Sequence, residues 1–157
     1  MEPIAEPLRM YGSVSPAEPL GWPWVQEQLE TAGTYWVLAC GDGHPHPRPV
    51  WGFLADDGLR LSLGSPVVNR QLAGAPEVTV HLDSGTDVVI LEGIARKETH
   101  DESAAYVEAY DTKYDYPYDL DQYGPFMHVR PTAVLAWRAA GEAGRDGFTQ
   151  VGRWRFD

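Results

Sequence analysis

Apolar and polar residues alternate through seven stretches of this chain, with the two-residue period of half-buried strands. The stretches are 34–40 (TYWVLAC), 48–55 (RPVWGFLA), 59–63 (LRLSL), 77–83 (EVTVHLD), 88–98 (VVILEGIARKE), 126–138 (FMHVRPTAVLAWR) and 148–156 (FTQVGRWRF). Between the second and third stands Asp56-Asp57-Gly58, a hairpin signal, because Asp-Gly accepts the positive φ that a tight turn demands. The turn residues GDGHPHP close the first stretch, and Pro131 predicts a bend within the sixth. The period changes in three places. Trp24, Val25, Leu29 and Ala32 have helical spacing, with Pro23 in the first turn and Gly33 behind the last. Ser65-Pro66 predicts a helix start, and the short helix runs over 66–73. Asp101 predicts the cap of a helix over 101–110, on which Ala105, Val107 and Tyr110 share a face.

Six or seven mostly consecutive strands and two or three short helices argue a mainly β, antiparallel barrel rather than an open α/β sheet. Residues 1–22, rich in proline, are expected as an extended arm, and 23–157 as one domain. A chain of 157 residues with 43% hydrophobic composition can bury one proper core.

Charge narrows the function classes. A net charge of −11 argues against nucleic acid and anionic membrane surfaces, which select basic faces. Lys97 and Lys113 are the only lysines, so an anionic ligand has to be held by a few placed arginines. The lone Cys40 excludes an internal disulfide, fits a reducing cytoplasm, and is expected as inert core. No apolar run is long enough to span a bilayer, and the first residues lack the basic-then-apolar order of a secretory signal.

Of the candidate chemistry, LSLGSPVVNRQLAG (61–74) is the most suggestive. A strand that turns through Gly64-Ser65 into a helix presents backbone N–H groups to an anion, and Arg70 lies within the first turns. His44 and His46 form His-x-His, but no acid follows before Asp56, so they read as a solvent-exposed turn rather than a metal site. YDTKYDYPYDLDQYG (110–124) lacks the glycine and terminal glutamate of a calcium loop. It reads as an acidic surface loop, or as tyrosines that cover a ligand's ring.

The segments HPRPVWGFLADDGLRLSLGS, NRQLAGAPEVTVHLD, DVVILEGIAR, RPTAVLAW and GRWRF, in that order, resemble the flavin-type split barrel of the pyridoxamine 5′-phosphate oxidase-like superfamily. The resemblance runs from about Thr34 onward and is greatest to the actinobacterial branch of flavin- or deazaflavin-dependent oxidoreductases. It implies a six-stranded antiparallel split β-barrel, a homodimer, and FMN or F420 bound at the dimer interface. It places Pro47, Arg48, Pro49, Val50, Ser62, Leu63, Gly64, Ser65, Asn69, Arg70 and Gln71 against the cofactor, with Trp137 and Trp154 reaching it from late strands. Relatives read Ser-x-Lys-x-x-Asn-Leu where this chain has Pro66 to Leu72, so Val68 replaces the phosphate lysine and Gln71 the asparagine. Arg70 then takes over the positive charge. Asp87 and Val88 stand where true pyridoxamine phosphate oxidases carry Arg-Gln, so vitamin B6 oxidation is not expected. The implied activity is hydride transfer between the cofactor and a small organic substrate. No side chain is required as acid or base. The alternative is a non-catalytic flavin- or haem-type binding or storage protein on the same barrel.

Overall fold

The computed structural model describes residues 2–7, 18–41 and 43–157. Strands β1 (Ile4–Glu6) and β2 (Glu18–Pro19) precede helix α1 (Trp22–Thr31). Then follow β3 (Tyr35–Ala39), β4 (His46–Val50), β5 (Gly52–Ala55), β6 (Gly58–Leu61), helix α2 (Pro66–Gly74), β7 (Glu77–His81) and β8 (Asp87–Lys97). Three short helices come next, α3 (His100–Ala104), α4 (Val107–Tyr114) and α5 (Leu120–Tyr123). Strands β9 (Met127–Ala139) and β10 (Phe148–Arg155) complete the order. The architecture is mainly β with short helices.

The strands form one sheet, antiparallel except where β2 meets β10. Its main path is β1-β10-β9-β8-β7-β3-β4. The long β9 pairs with β8 along most of its length. It also holds β6 through Met127 to Val129 and β10 through Ala133 to Ala139. Since β6 pairs with β5, the branch from β9 ends at β5 and the main path ends at β4, and these two strands are one run of chain interrupted only at Trp51.

The ten strands among the described residues exceed the six or seven that alternation predicts for two reasons. Residues 48–55 split at Trp51, and β1 and β2 add two short strands from within residues 1–22. The split brings β5 close to β6: a Cβ on Gly52 would lie 2.5 Å from the Arg60 carbonyl oxygen, so only glycine fits. Inward residues of β3, β6, β7, β8 and β9, among them Val37, Leu61, Val80, Leu91 and Val129, form the main core. Helix α1 closes it with Val25 and Leu29, and α2 with Val68 and Leu72.

Three local expectations are corrected. The helix cap is Thr99, not Asp101: its hydroxyl accepts from the Glu102 N–H while the Glu102 carboxylate accepts from the Thr99 N–H, a complete capping box. The expected loop after Tyr110 is helical to Tyr114, because Tyr106, Tyr110 and Tyr114 recur every four residues and pack on Phe53 and Phe126. Cys40 is exposed rather than core, since β3 ends one residue before it.

Candidate functional site

A second core, this one aromatic, sits apart from the main one, made of Phe53, Tyr110, Tyr118 and Phe126 with Tyr106 and Tyr114 against it. It fastens α4, α5 and the chain between them to β5. A buried polar network fixes it from below. Arg60 is 3% exposed. Its Nε lies 3.2 Å from Glu98 Oε1, its other nitrogens bind Asp57, and its guanidinium carbon stands 3.8 Å over the Tyr106 ring. The second Glu98 oxygen accepts from the Ser103 hydroxyl at 2.9 Å, and Ser103 Oγ accepts from the Phe126 N–H at 2.9 Å. Buried charges need this degree of pairing to be tolerated at all.

Where this aromatic layer meets the β4–β5 break there is a cleft of about 490 Å³. Three segments line it: Arg48 to Trp51, Ser62 to Ser65, and the tyrosines Tyr110, Tyr116, Tyr118 and Tyr123. Each wall has a local cause. Ser62 leaves β6 with its N–H bonded to the Trp51 carbonyl at 2.8 Å, which ties the first two walls together. Ser65 caps α2, its Oγ facing the Val68 N–H, and Asn69 Nδ2 returns to the Leu63 carbonyl at 2.8 Å to hold the Gly64 turn. The tyrosine wall is locked by hydroxyls. Ser62 Oγ donates to Tyr118 Oη at 3.3 Å, and Tyr118 donates to the Gly124 carbonyl at 3.0 Å. Tyr114 Oη accepts from the Gly52 N–H at 2.8 Å, and its ring lies parallel to Trp51 at 4.7 Å. Burial pushes Tyr114 and Tyr118 up from the ordinary phenol range, and Tyr110 up to about 12, so all three are neutral hydroxyls near pH 7.

Arg48 is the only charged residue of the lining. Its Nη1 donates to the Pro47 carbonyl at 2.8 Å, and it has no ion-pair partner among the described residues. At Gly64 nothing lies within 4 Å of the place a Cβ would take. An unpaired guanidinium, an open glycine turn, and broad aromatic faces fit a ligand with one anionic group and a planar aromatic body. A flavin phosphate is such a ligand.

The expected contact residues divide in two. Arg48, Pro49, Val50, Ser62, Leu63, Gly64 and Ser65 come together on the cleft. Arg70 and Gln71 line a separate hollow with Gly41 and Gly43, where Gln71 Nε2 donates to the Cys40 and His44 carbonyls at 2.9 and 3.1 Å. Asn69 serves the turn, and Pro47 lies outside the lining. Trp154 is buried edge-on to Trp22 in the core, and Trp137 on β9 meets Phe148 on β10. Sequence reasoning missed Trp51. Its signal was available: a bulky residue before Gly52, inside a run that would otherwise alternate without a break. No group of three or more metal-ligating side chains occurs among the described residues, and no described helix is long and apolar enough to cross a membrane.

Neither family models nor curated proteins match the sequence. Solved structures do match in shape. A Listeria innocua protein named for pyridoxamine 5′-phosphate oxidase aligns with TM-score 0.59 at 14% identity over 73% of this chain and 95% of its own. The fold is that of the pyridoxamine 5′-phosphate oxidase-like split barrels. An F420 reductase has the same barrel, with TM-score 0.56 and 20% identity over 69% of this chain and 94% of its own. HutZ, the haem storage protein of Vibrio cholerae, also shares it, with TM-score 0.59 and 12% identity over 70% and 89%. Identities this low speak for the split barrel alone.

Proposed function

We propose that this split barrel binds FMN or F420 in the Arg48–Ser62–Tyr118 cleft and acts as an oxidoreductase on a small organic substrate. The observation that carries the reading is the meeting of one unpaired guanidinium, the open Gly64-Ser65 turn and an aromatic wall in a single cleft. The bound cofactor supplies the hydride-transfer chemistry. Arg48 holds its phosphate, the planar fork offering two parallel donors, and the Ser65 hydroxyl adds a third. Val50 lies along the ring, and the neutral tyrosines exclude water without adding charge. In this reading the chain is a cytoplasmic homodimer built on a six-stranded barrel. Trp137 and Trp154 belong to the late strands that approach the neighbouring subunit's cofactor, and Arg70 adds long-range positive potential from α2.

A second reading, non-catalytic storage of a flavin or haem, is favoured by one observation. Val68 is buried and Arg70 opens on the other hollow, so a single cation serves the phosphate. Titration of the protein with F420 and with FMN, followed by tryptophan quenching, tests binding. Micromolar affinity for one of them is expected, and no quenching by either removes the cofactor reading. Turnover of the reduced cofactor with any acceptor removes storage.

A further inference from the structure

We propose that the tyrosine wall of the cleft, with Trp51, is a recognition site for planar organic cations, which are the substrate class of the proposed oxidoreductase. Three aromatic side chains of the cleft stay open to solvent: Trp51 is 46% exposed, and Tyr116 and Tyr123 are each 40%. They belong together. Trp51 and Tyr116 meet edge to face at 6.1 Å, and Tyr116 and Tyr123 share a hydroxyl–hydroxyl hydrogen bond with ring centroids 6.3 Å apart. Exposed aromatic area of this kind marks a surface meant to be covered.

The charge around these rings selects the sign of what covers them. Residues 110–124 carry four acids, Asp111, Asp115, Asp119 and Asp121, and one cation. That cation, Lys113, is turned away: its Nζ donates to Tyr35 Oη at 2.9 Å and stands over the Tyr35 and Tyr114 rings. Asp111 Oδ1 accepts from the Tyr118 N–H, and Asp119 caps α5, so both carboxylates are fixed beside the tyrosines. The hydrogen bond with the Tyr116 hydroxyl raises the Tyr123 phenol above its ordinary range, with a smaller contribution from Asp119.

Elsewhere in the molecule, half-buried ring faces already hold cations: Arg60 over Tyr106, and Arg138 over Trp24 at 5.4 Å. Among the described residues no cation stands over Trp51, Tyr116 or Tyr123. The negative faces of electron-rich rings within an acidic segment attract a delocalised cation both by their quadrupole and by the surrounding carboxylates. Arg48 alone opposes this. Calling the cation a substrate rests on the cofactor reading, in which the cofactor phosphate neutralises Arg48.

The test titrates the full chain with N-methylquinolinium and with 2-naphthoate, planar probes of similar size and opposite charge. Both are run in wild type and Tyr116→Leu at low ionic strength, with FMN and F420 titrated separately. The cation is expected to bind at least about tenfold more tightly than the anion. Its affinity should fall about two- to fivefold in Tyr116→Leu, the scale of an exposed cation–π contact, and tenfold preference should shrink in high salt. Equal or tighter binding of naphthoate, or an unchanged N-methylquinolinium affinity in Tyr116→Leu, overturns the proposal. Cation binding without binding of either cofactor leaves this site standing and removes the oxidoreductase reading. Cofactor binding without cation binding does the reverse.

Discussion

Arg48 and Arg70 are the two arginines that resemblance places on a phosphate, and the structure gives them unequal positions. Arg48 lines the cleft without an ion-pair partner, whereas Arg70 is exposed on the far side of α2. Arg48→Ala is therefore expected to weaken FMN or F420 by about tenfold, the scale of one charge-assisted hydrogen bond. Arg70→Ala should change the affinity less than about twofold, the size of a screened surface charge. Isothermal titration of both variants decides between them, and a larger loss at Arg70 would move the phosphate to the second hollow. Lys113 carries a different residue-scale expectation. Burial lowers its ammonium from the ordinary lysine value to about 8. The unfolded chain binds that proton more tightly, so the folded state carries a penalty below pH 8 that is relieved as pH rises toward 10.5. Thermal melts from pH 7.5 to 9.5, below the titration of the tyrosines, should show wild type gaining stability relative to Lys113→Met. Parallel pH profiles would refute the burial argument.

Strands of this molecule were legible in the sequence, and the cleft was only half so. Alternation in 77–83 and 88–98 matches β7 and β8 because one face of each meets the core. Ser65-Pro66 marks the start of α2, because capping is a local interaction. The aromatic layer was not legible as such. Read locally, tyrosine favours strands and aspartate favours caps and turns, yet α4 forms because Tyr106 and Tyr110 find Phe53 and Phe126 across the fold. The same tertiary origin hides the Arg60–Glu98 pair, whose members are 38 positions apart. At this scale the pair and the capping box dock the whole tyrosine wall. Glu98→Ala leaves Arg60 and Ser103 short of an acceptor and is expected to lower stability by about 3 kcal/mol, the cost of breaking a buried ion pair. Thr99→Ala should lower it by about 1 kcal/mol through the lost cap. Chemical denaturation measures both, and equal small losses would show that the network is not a buried ion pair in energetic effect.

For the whole molecule, an acidic chain with a net charge of −11 has little reason to self-associate through charge. A homodimer, as the cofactor reading requires, must therefore rest on apolar and aromatic surface. Sedimentation equilibrium is expected to give about twice 17.4 kDa at micromolar concentration, with one cofactor per chain. A monomer that still binds cofactor would separate the cleft from any interface.

The position of β9 has a consequence for how the protein comes to be made. This strand joins β8, β6 and β10, and it leaves the ribosome after every one of them except β10. Until it emerges, β6 and β8 hold bare edges in a nascent chain, the condition that invites pairing with the wrong neighbour. Synthesis therefore passes through a vulnerable interval that ends only when Met127 and the residues behind it appear. Slow codons placed just before that point should lengthen the interval and send more of the product to chaperones.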